Sequence, residues 1–356
     1  NQTTTAVATV RDPSNNIIGA AVTWSSSNPM VARVASDGTV QALGTGTTNI
    51  TATIGAVSGF ASLTVNQVAQ AYNIVIRPLT AMSAGATAAF TAAAARWSQV
   101  IRGDVPDVTL TGFNVSGCVS QPALTEIIDD VVIYATIAPI DGVGGILGSA
   151  GPCFTRGGTN HAYIGRMTFD DADIANMEAN GTLTAVILHE MGHVLGIGTN
   201  WTFLGLLANP APSPGVGDPT FTGVNAQWVF PGLGTGYVGA IVPVENCCGD
   251  GTRNAHWRES VLVRELMTGF VTGGATPVNP LSPLTAASLI DLGYVVDVSQ
   301  SDGTPYFLRA TLNAPGVRIE IKEGSMPPPI ATDLFGRPVG GALRAPGIPP
   351  PPSGRR

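Results

Sequence analysis

"AVILHEMGHVLGIGTNW" occupies Ala185–Trp201 and holds two of the four histidines in the 356-residue chain. His189 and His193 are four residues apart. On an α-helix that spacing puts both imidazoles on one face, one turn apart, where they can grip a single ion. Glu190 projects from the neighbouring side of that turn, near enough to hold a water that the ion activates. This is the H-E-x-x-H arrangement, in which zinc lowers the water's pKa and the carboxylate accepts its proton. A surface helix with two histidines needs no metal. Here, however, the flanks "AVIL" and "VLGIG" are apolar, which predicts a buried helix, and buried histidines with a glutamate need partners. Gly196 follows at the spacing H-E-x-x-H-x-x-G and can take the left-handed conformation that ends a helix.

Two histidines leave such a site incomplete. Three residues past Gly196 stands Thr199, so a third ligand must come from elsewhere, and only His161 and His256 remain. His161, in "GGTNHAYIGR", precedes a strand and is expected to be structural. His256, in "NAHWRESVLVRELMTGF", stands eleven residues before Met267. Together these stretches resemble the leishmanolysin family of metzincins, in which a long insertion separates H-E-x-x-H-x-x-G from the third histidine and an E-L-M turn follows it. "PLTAASLIDLGY" resembles the family's last catalytic helix, and "AAARWSQVI", "IYATIAPIDG" and "YIGRMTFDDADI" resemble the N-terminal half of bacterial members. The likeness spans residues 74–298. It implies an α+β metzincin-type zinc peptidase domain and one catalytic Zn²⁺ held by His189, His193 and His256. It further implies Glu190 as general base, Met267 in a turn beneath the metal, and residues 199–255 as the insertion. Glu259 or Glu265 as third ligand would make a different kind of zinc site, and the position of Met267 after His256 argues against that.

Two features depart from the pattern. Thr268-Gly269-Phe270 follows Met267, so no tyrosine is available as an extra ligand. Cys247 and Cys248 lie just upstream of His256. They are expected to be disulfide-bonded in some manner; the sharper alternative is a thiolate that approaches the zinc. Cys118 and Cys153 suit a bridge across the middle of the chain.

Residues 1–66 read as an all-β sandwich. Short β-rich runs alternate with turn signals such as Asp37-Gly38. "VTWSSSNPMVARVASDGTVQALGTGTTNITAT" resembles the bacterial immunoglobulin-like group 2 domain, with a shortened first strand and Trp24 as a core residue. Residues 67–73 read as a linker that few contacts should cross. Periodicity predicts strands over 72–78, 130–140 and 162–170, and helices over 84–101, 182–196 and 283–294. Phe90, Trp97 and Ile101 are placed to share one face. Residues 299–356 read as a hairpin-like segment, "YFLRATLNAPGVRIEIKEG", and a Pro-rich tail. Asp170, Asp171 and Asp173 form an acidic helix start; Ca²⁺ is the alternative there, without EF-type spacing.

Only 12% of residues are charged, the net charge is −7 and Lys322 is the sole lysine. No basic run offers itself to nucleic acid or an anionic membrane. No apolar run nears the roughly 20 residues that cross a bilayer, and no signal peptide is expected in the chain as it starts at Asn1. The organisation therefore reads as a multidomain zinc endopeptidase, extracellular or at a cell surface, acting on protein or peptide substrates. The Ig-like module would contact a cell surface or polymer. The rival readings are a catalytically silent adhesion protein, which an intact Glu190 and three histidines disfavour, and a metal hydrolase of non-peptide bonds.

Overall fold

Alternating strands and tight turns shape the first 65 residues. The structure, a computed structural model, describes residues 2–67, 69, 71–235, 241–273, 279–302, 317–324 and 326–339. Strands β1 (Thr3–Thr5), β2 (Thr23–Ser26), β3 (Ala32–Val34), β4 (Thr39–Ala42), β5 (Gly46–Ile54) and β6 (Val57–Val65) make two three-stranded sheets, ordered β1-β4-β3 and β2-β5-β6. The β3–β4 turn is the expected Asp-Gly: Gly38 sits at φ 86° and the Asp37 carboxylate accepts the Thr39 N–H at 2.8 Å. Ala32, Val40 and Ile50 are buried, with Trp24 and Leu63 packed against them.

That small core leaves an apolar turn uncovered, and here an expectation fails. Few contacts should cross to the rest of the chain, yet Leu43 is 1% exposed and belongs to the main core. The Val298 N–H donates to the Leu43 carbonyl at 2.9 Å. Asp297 accepts from Thr45, at 3.1 Å from the N–H and 2.6 Å from the hydroxyl. The Arg33 guanidinium lies over Trp228, 5.6 Å from the ring centroid. The reason is physical: Leu43 lies outside the small core of its own module, and burial against the neighbour removes its apolar surface from water.

The second unit begins with β7 (Ile74–Pro78), α1 (Ala84–Val100), β8 (Val108–Phe113), β9 (Leu124–Ile128) and β10 (Val131–Ala138). It continues with β11 (Gly148–Arg156), β12 (Ala162–Asp170), α2 (Asp171–Ala179) and α3 (Leu183–Val194). Strands β7, β10 and β12 are parallel neighbours, and β11 runs antiparallel beside β12. Ser83 caps α1 by accepting the Ala86 N–H at 2.9 Å. Phe90 and Trp97, on the predicted face of α1, and Ile101 just past its end are all buried. The Trp97 indole N–H donates to the Leu188 carbonyl at 2.9 Å, which ties α1 to α3.

The Gly/Pro-rich stretch 199–255 contributes β13 (Leu207–Ala208), β14 (Thr220–Phe221), α4 (Val224–Val229) and β15 (Val242–Pro243), and its three strands form one small sheet. Its core is aromatic and long-range: Trp201 lies 4.6 Å from Trp257 and 5.0 Å from Phe221, centroid to centroid. Then come α5 (Glu259–Leu262), β16 (Phe270–Gly273) and α6 (Pro283–Asp291). Asp291 accepts the N–H groups of Asn225 and Ala226 at the start of α4.

The last described strands are β17 (Val317–Glu320) and β18 (Ile330–Thr332). Much of the expected hairpin-like segment, 303–316, and the end of the tail, 340–356, lie outside the described residues. β17 pairs with β16, antiparallel, and β18 joins the edge of the five-stranded sheet, parallel to β11. Ile319 and Ile321 alternate with Arg318 and Glu320, so this strand has an apolar face that needs a sheet to cover it. Ile321 is 1% exposed. Among the described residues, no helix is long and apolar enough to cross a membrane.

Candidate metal centre

Helix α3 is apolar on nearly every side, and all ten residues from Val186 to Leu195 are buried. His189 and Glu190 are fully buried, and His193 is 1% exposed. Each imidazole that sequence reasoning selected is fixed from behind. His189 Nδ1 lies 2.6 Å from the Leu266 carbonyl, His193 Nδ1 2.8 Å from that of Ile197, and His256 Nδ1 2.9 Å from that of Thr252. A carbonyl can only accept, so each ring carries its proton on Nδ1 and turns an Nε2 lone pair inward. The three Nε2 atoms lie 3.0, 3.1 and 3.1 Å from one another. Three acceptors cannot satisfy each other; a cation between them can. Nitrogens held tetrahedrally at ~2.0–2.1 Å from zinc stand roughly 3.3 Å apart, close to what is seen. The carbonyls behind the rings are the outer partners that metal-binding histidines use.

His256 arrives from far along the chain. The Glu245 N–H donates to the His256 carbonyl at 2.8 Å, and Trp257 makes isolated bridges to Val244 and Thr268. Trp257 is fully buried, and its indole donates to the Thr285 hydroxyl at 2.8 Å. Leu266 and Met267 form the turn that receives His189. The Glu265 carboxylate holds that turn by accepting from the Met267 N–H at 2.6 Å, the Ser282 hydroxyl at 2.7 Å and the Thr285 hydroxyl at 2.5 Å. A methyl added at Gly192 would stand 2.8 Å from Met267 Sδ, so the helix rests directly on this turn. Gly196 sits at φ +104°, as a helix stop there requires.

Glu190 is different in kind. Neither carboxylate oxygen has a hydrogen-bond partner among the described residues. Burial pushes its pKa well above the usual carboxylate range, the charge of Glu323 adds to the rise, and His193 opposes it. A buried carboxylate without donors is costly, and such groups concentrate at functional sites.

Glu323 was not anticipated. Its Oε1 lies 2.8 Å from His189 Nε2 and 2.7 Å from His256 Nε2, and its Oε2 lies 3.4 Å from His193 Nε2. One ligand atom from each of these four residues falls within 4.8 Å of the others, so the group could hold a metal ion.

Other candidates stand elsewhere. His161 stacks on Tyr294 with centroids 4.1 Å apart, and burial, reinforced by Arg156, brings its pKa down to about 4. Glu259 pairs with Arg318, while Glu265 is engaged as above. Asp170 caps α2 through the Ala172 N–H and also accepts from Asp141 and Gly142; Asp173 accepts from Gly144. Those bonds, the one from Asp141 foremost, hold Asp170 down to about 2. Both Asp170 oxygens and Oδ1 of Asp173 serve the backbone, and calcium is not shown. Cys118 bonds Cys153 as expected. Cys247 bonds Cys248, so no free thiol exists to approach the centre and the thiolate alternative is set aside.

Two family models match the chain, in the order read from the sequence. The model for the bacterial Ig-like domain (group 2) matches residues 1–65, and that for leishmanolysin matches residues 107–209. The leishmanolysin match contains His189, Glu190, His193 and Gly196 and ends before His256 and Met267. It supports a metallopeptidase of the hydrolase class, and the two models together suggest a surface or extracellular protein. No curated protein matches the chain.

Proposed function

We propose that the chain is a secreted or surface zinc endopeptidase of metzincin architecture, with His189, His193 and His256 as zinc ligands and Glu190 as general base. One observation carries the reading: three inward Nε2 lone pairs, 3.0–3.1 Å apart, meet beside a buried carboxylate that has no hydrogen-bond partner among the described residues. Zinc bound there would act as Lewis acid on a water and on the substrate carbonyl.

The rest is the work of the chain. The three carbonyls behind the rings fix the tautomer of each imidazole and aim its Nε2 inward. Glu190 takes a proton at a carboxylate oxygen and returns it to the leaving amine. Burial raises its proton affinity, which suits a group that must first accept a proton and then donate it. Met267 and Gly192 set the height of α3 against the turn below. A cavity of about 280 Å³ beside His193, walled in part by Thr199, Thr202 and Phe203, offers room for substrate side chains. The Ig-like module would bring the enzyme to a surface or polymer and raise the local concentration of substrate.

The test separates binding from chemistry. Glu190→Gln keeps shape and zinc but removes the base, so casein hydrolysis by the zinc-loaded protein should fall by at least the ~10²–10⁴ typical of a lost general base. Undiminished hydrolysis with zinc in place contradicts the assignment.

A further inference from the structure

We infer that Glu323 is a fourth protein ligand of the same metal and that residues 317–324 and 326–339 form an internal stopper holding the centre closed. The inference rests on the three-histidine reading and goes beyond it. The Glu323 carboxylate caps the histidine triangle: it reaches all three Nε2 atoms, at 2.7, 2.8 and 3.4 Å, and its side chain is 7% exposed. Three imidazoles and one carboxylate make a complete tetrahedral set. A zinc site with four protein ligands is closed, whereas a catalytic one keeps the fourth position for water or substrate. With Glu323 in that position, Glu190 has no water to act on.

The backbone shows that this is a seated segment. β17 is paired with β16, and the Ile321 N–H donates to the Gly269 carbonyl at 2.9 Å. The chain then crosses to the opposite wall. The Leu147 N–H donates to the Lys322 carbonyl at 3.1 Å, and the Gly324 N–H to the Gly148 carbonyl at 3.3 Å. Glu323 is therefore gripped from both sides, between the Met267 turn and the start of β11. Beyond it Met326 packs on Gly151, and the Arg166 guanidinium donates to its sulfur at 3.3 Å. β18 completes the run on β11.

The same segment fills the approach to the metal. Glu323, Met326 and Pro328 line the cavity beside His193, so an extended substrate reaching the centre must displace them. It would compete for the same sheet edge, since β11 is the strand on which the segment lies. Release is made easier by composition. Pro327, Pro328 and Pro329 have no N–H and add nothing to the ladder along β11. The stopper is thus anchored at its ends and weakly bonded over its proline run.

The test reads coordination as well as catalysis. The full chain is loaded with cobalt(II) in place of zinc, and azide is titrated against its visible absorption. If Glu323 holds the fourth position nine-tenths of the time, azide should bind the Glu323→Ala protein about 10-fold more tightly than wild type, because apparent affinity scales with the open fraction. Glu323→Gln keeps the shape and should move the same way, which guards against an alanine variant that fails to fold. Peptide hydrolysis by the zinc forms should rise in both. Equal azide affinity in wild type and both variants, with cobalt bound at one per chain, overturns the stopper and leaves the three-histidine site standing. Absence of cobalt uptake by wild type overturns both.

Discussion

Gly192→Ala sets two known effects against each other where α3 rests on the Met267 turn. Replacing glycine by alanine inside a helix ordinarily gains about 1 kcal/mol. Here the new methyl would stand 2.8 Å from Met267 Sδ, 3.0 Å from Met267 Cε and 3.1 Å from Trp97 Cζ2. Ordinary carbon contacts lie at roughly 3.5–4.0 Å. Met267 is fully buried, so its end has little room to swing away, and Trp97 is fully buried with its indole N–H bonded to Leu188. Overpacking of this kind costs about 1–3 kcal/mol. The clash therefore wins, and the net loss should be about 1 kcal/mol in urea unfolding of the full chain. Met267→Ala alone should also destabilise, by about 2–5 kcal/mol as a buried truncation. Combined with it, Gly192→Ala should recover its helix-forming gain, giving a favourable coupling of about 1–2 kcal/mol. A Gly192→Ala protein more stable than wild type, or single changes that simply add, would refute the close contact between α3 and the Met267 turn.

Three further outcomes follow from the same packing. Leu43→Ala removes a side chain that is 1% exposed at the junction with the second unit; it should cost about 2–4 kcal/mol, and a loss below about 0.5 kcal/mol would show that the two units do not share a core. Removal of residues 1–66 should lower the thermal midpoint of what remains, because Asp297 and Val298 lose their partners in Thr45 and Leu43; an unchanged midpoint contradicts this. Asp170, held at about 2 against an ordinary 3.8, contributes stability that is fully present above pH ~4 and lost as pH falls through about 2. The stability difference between wild type and Asp170→Asn should therefore shrink over that window, and a difference that does not change with pH would contradict it.

Features carried by local spacing could be read before any coordinates. His189, Glu190, His193 and Gly196 lie within eight residues, and helix periodicity alone puts them on one turn and its neighbour. His256 and Met267 needed the family pattern, because 63 residues separate His256 from His193 and no local rule joins them. The helix carrying Phe90 and Trp97 and the strands over 131–138 and 162–170 followed from apolar periodicity.

Glu323 could not be read in this way. It is one glutamate in "IKEG", without a motif, and it reaches the histidines only because β17 pairs with β16 and β18 with β11. The alternation of Ile319 and Ile321 signals a strand but not its partner. The stretch 199–255 was opaque for a related reason: Trp201, Phe221 and Trp257 pack together at separations that have no period. Leu43 could not be singled out in this way, since nothing nearby in sequence says that it joins the core of the neighbouring unit.

Zinc content per chain, measured after extensive dialysis, tests the central claim most directly. Wild type should hold one zinc, His161→Ala should hold the same, and His256→Ala should lose most of it in a chelator competition. A His256→Ala protein that keeps its zinc while His161→Ala loses it would contradict the three-histidine centre.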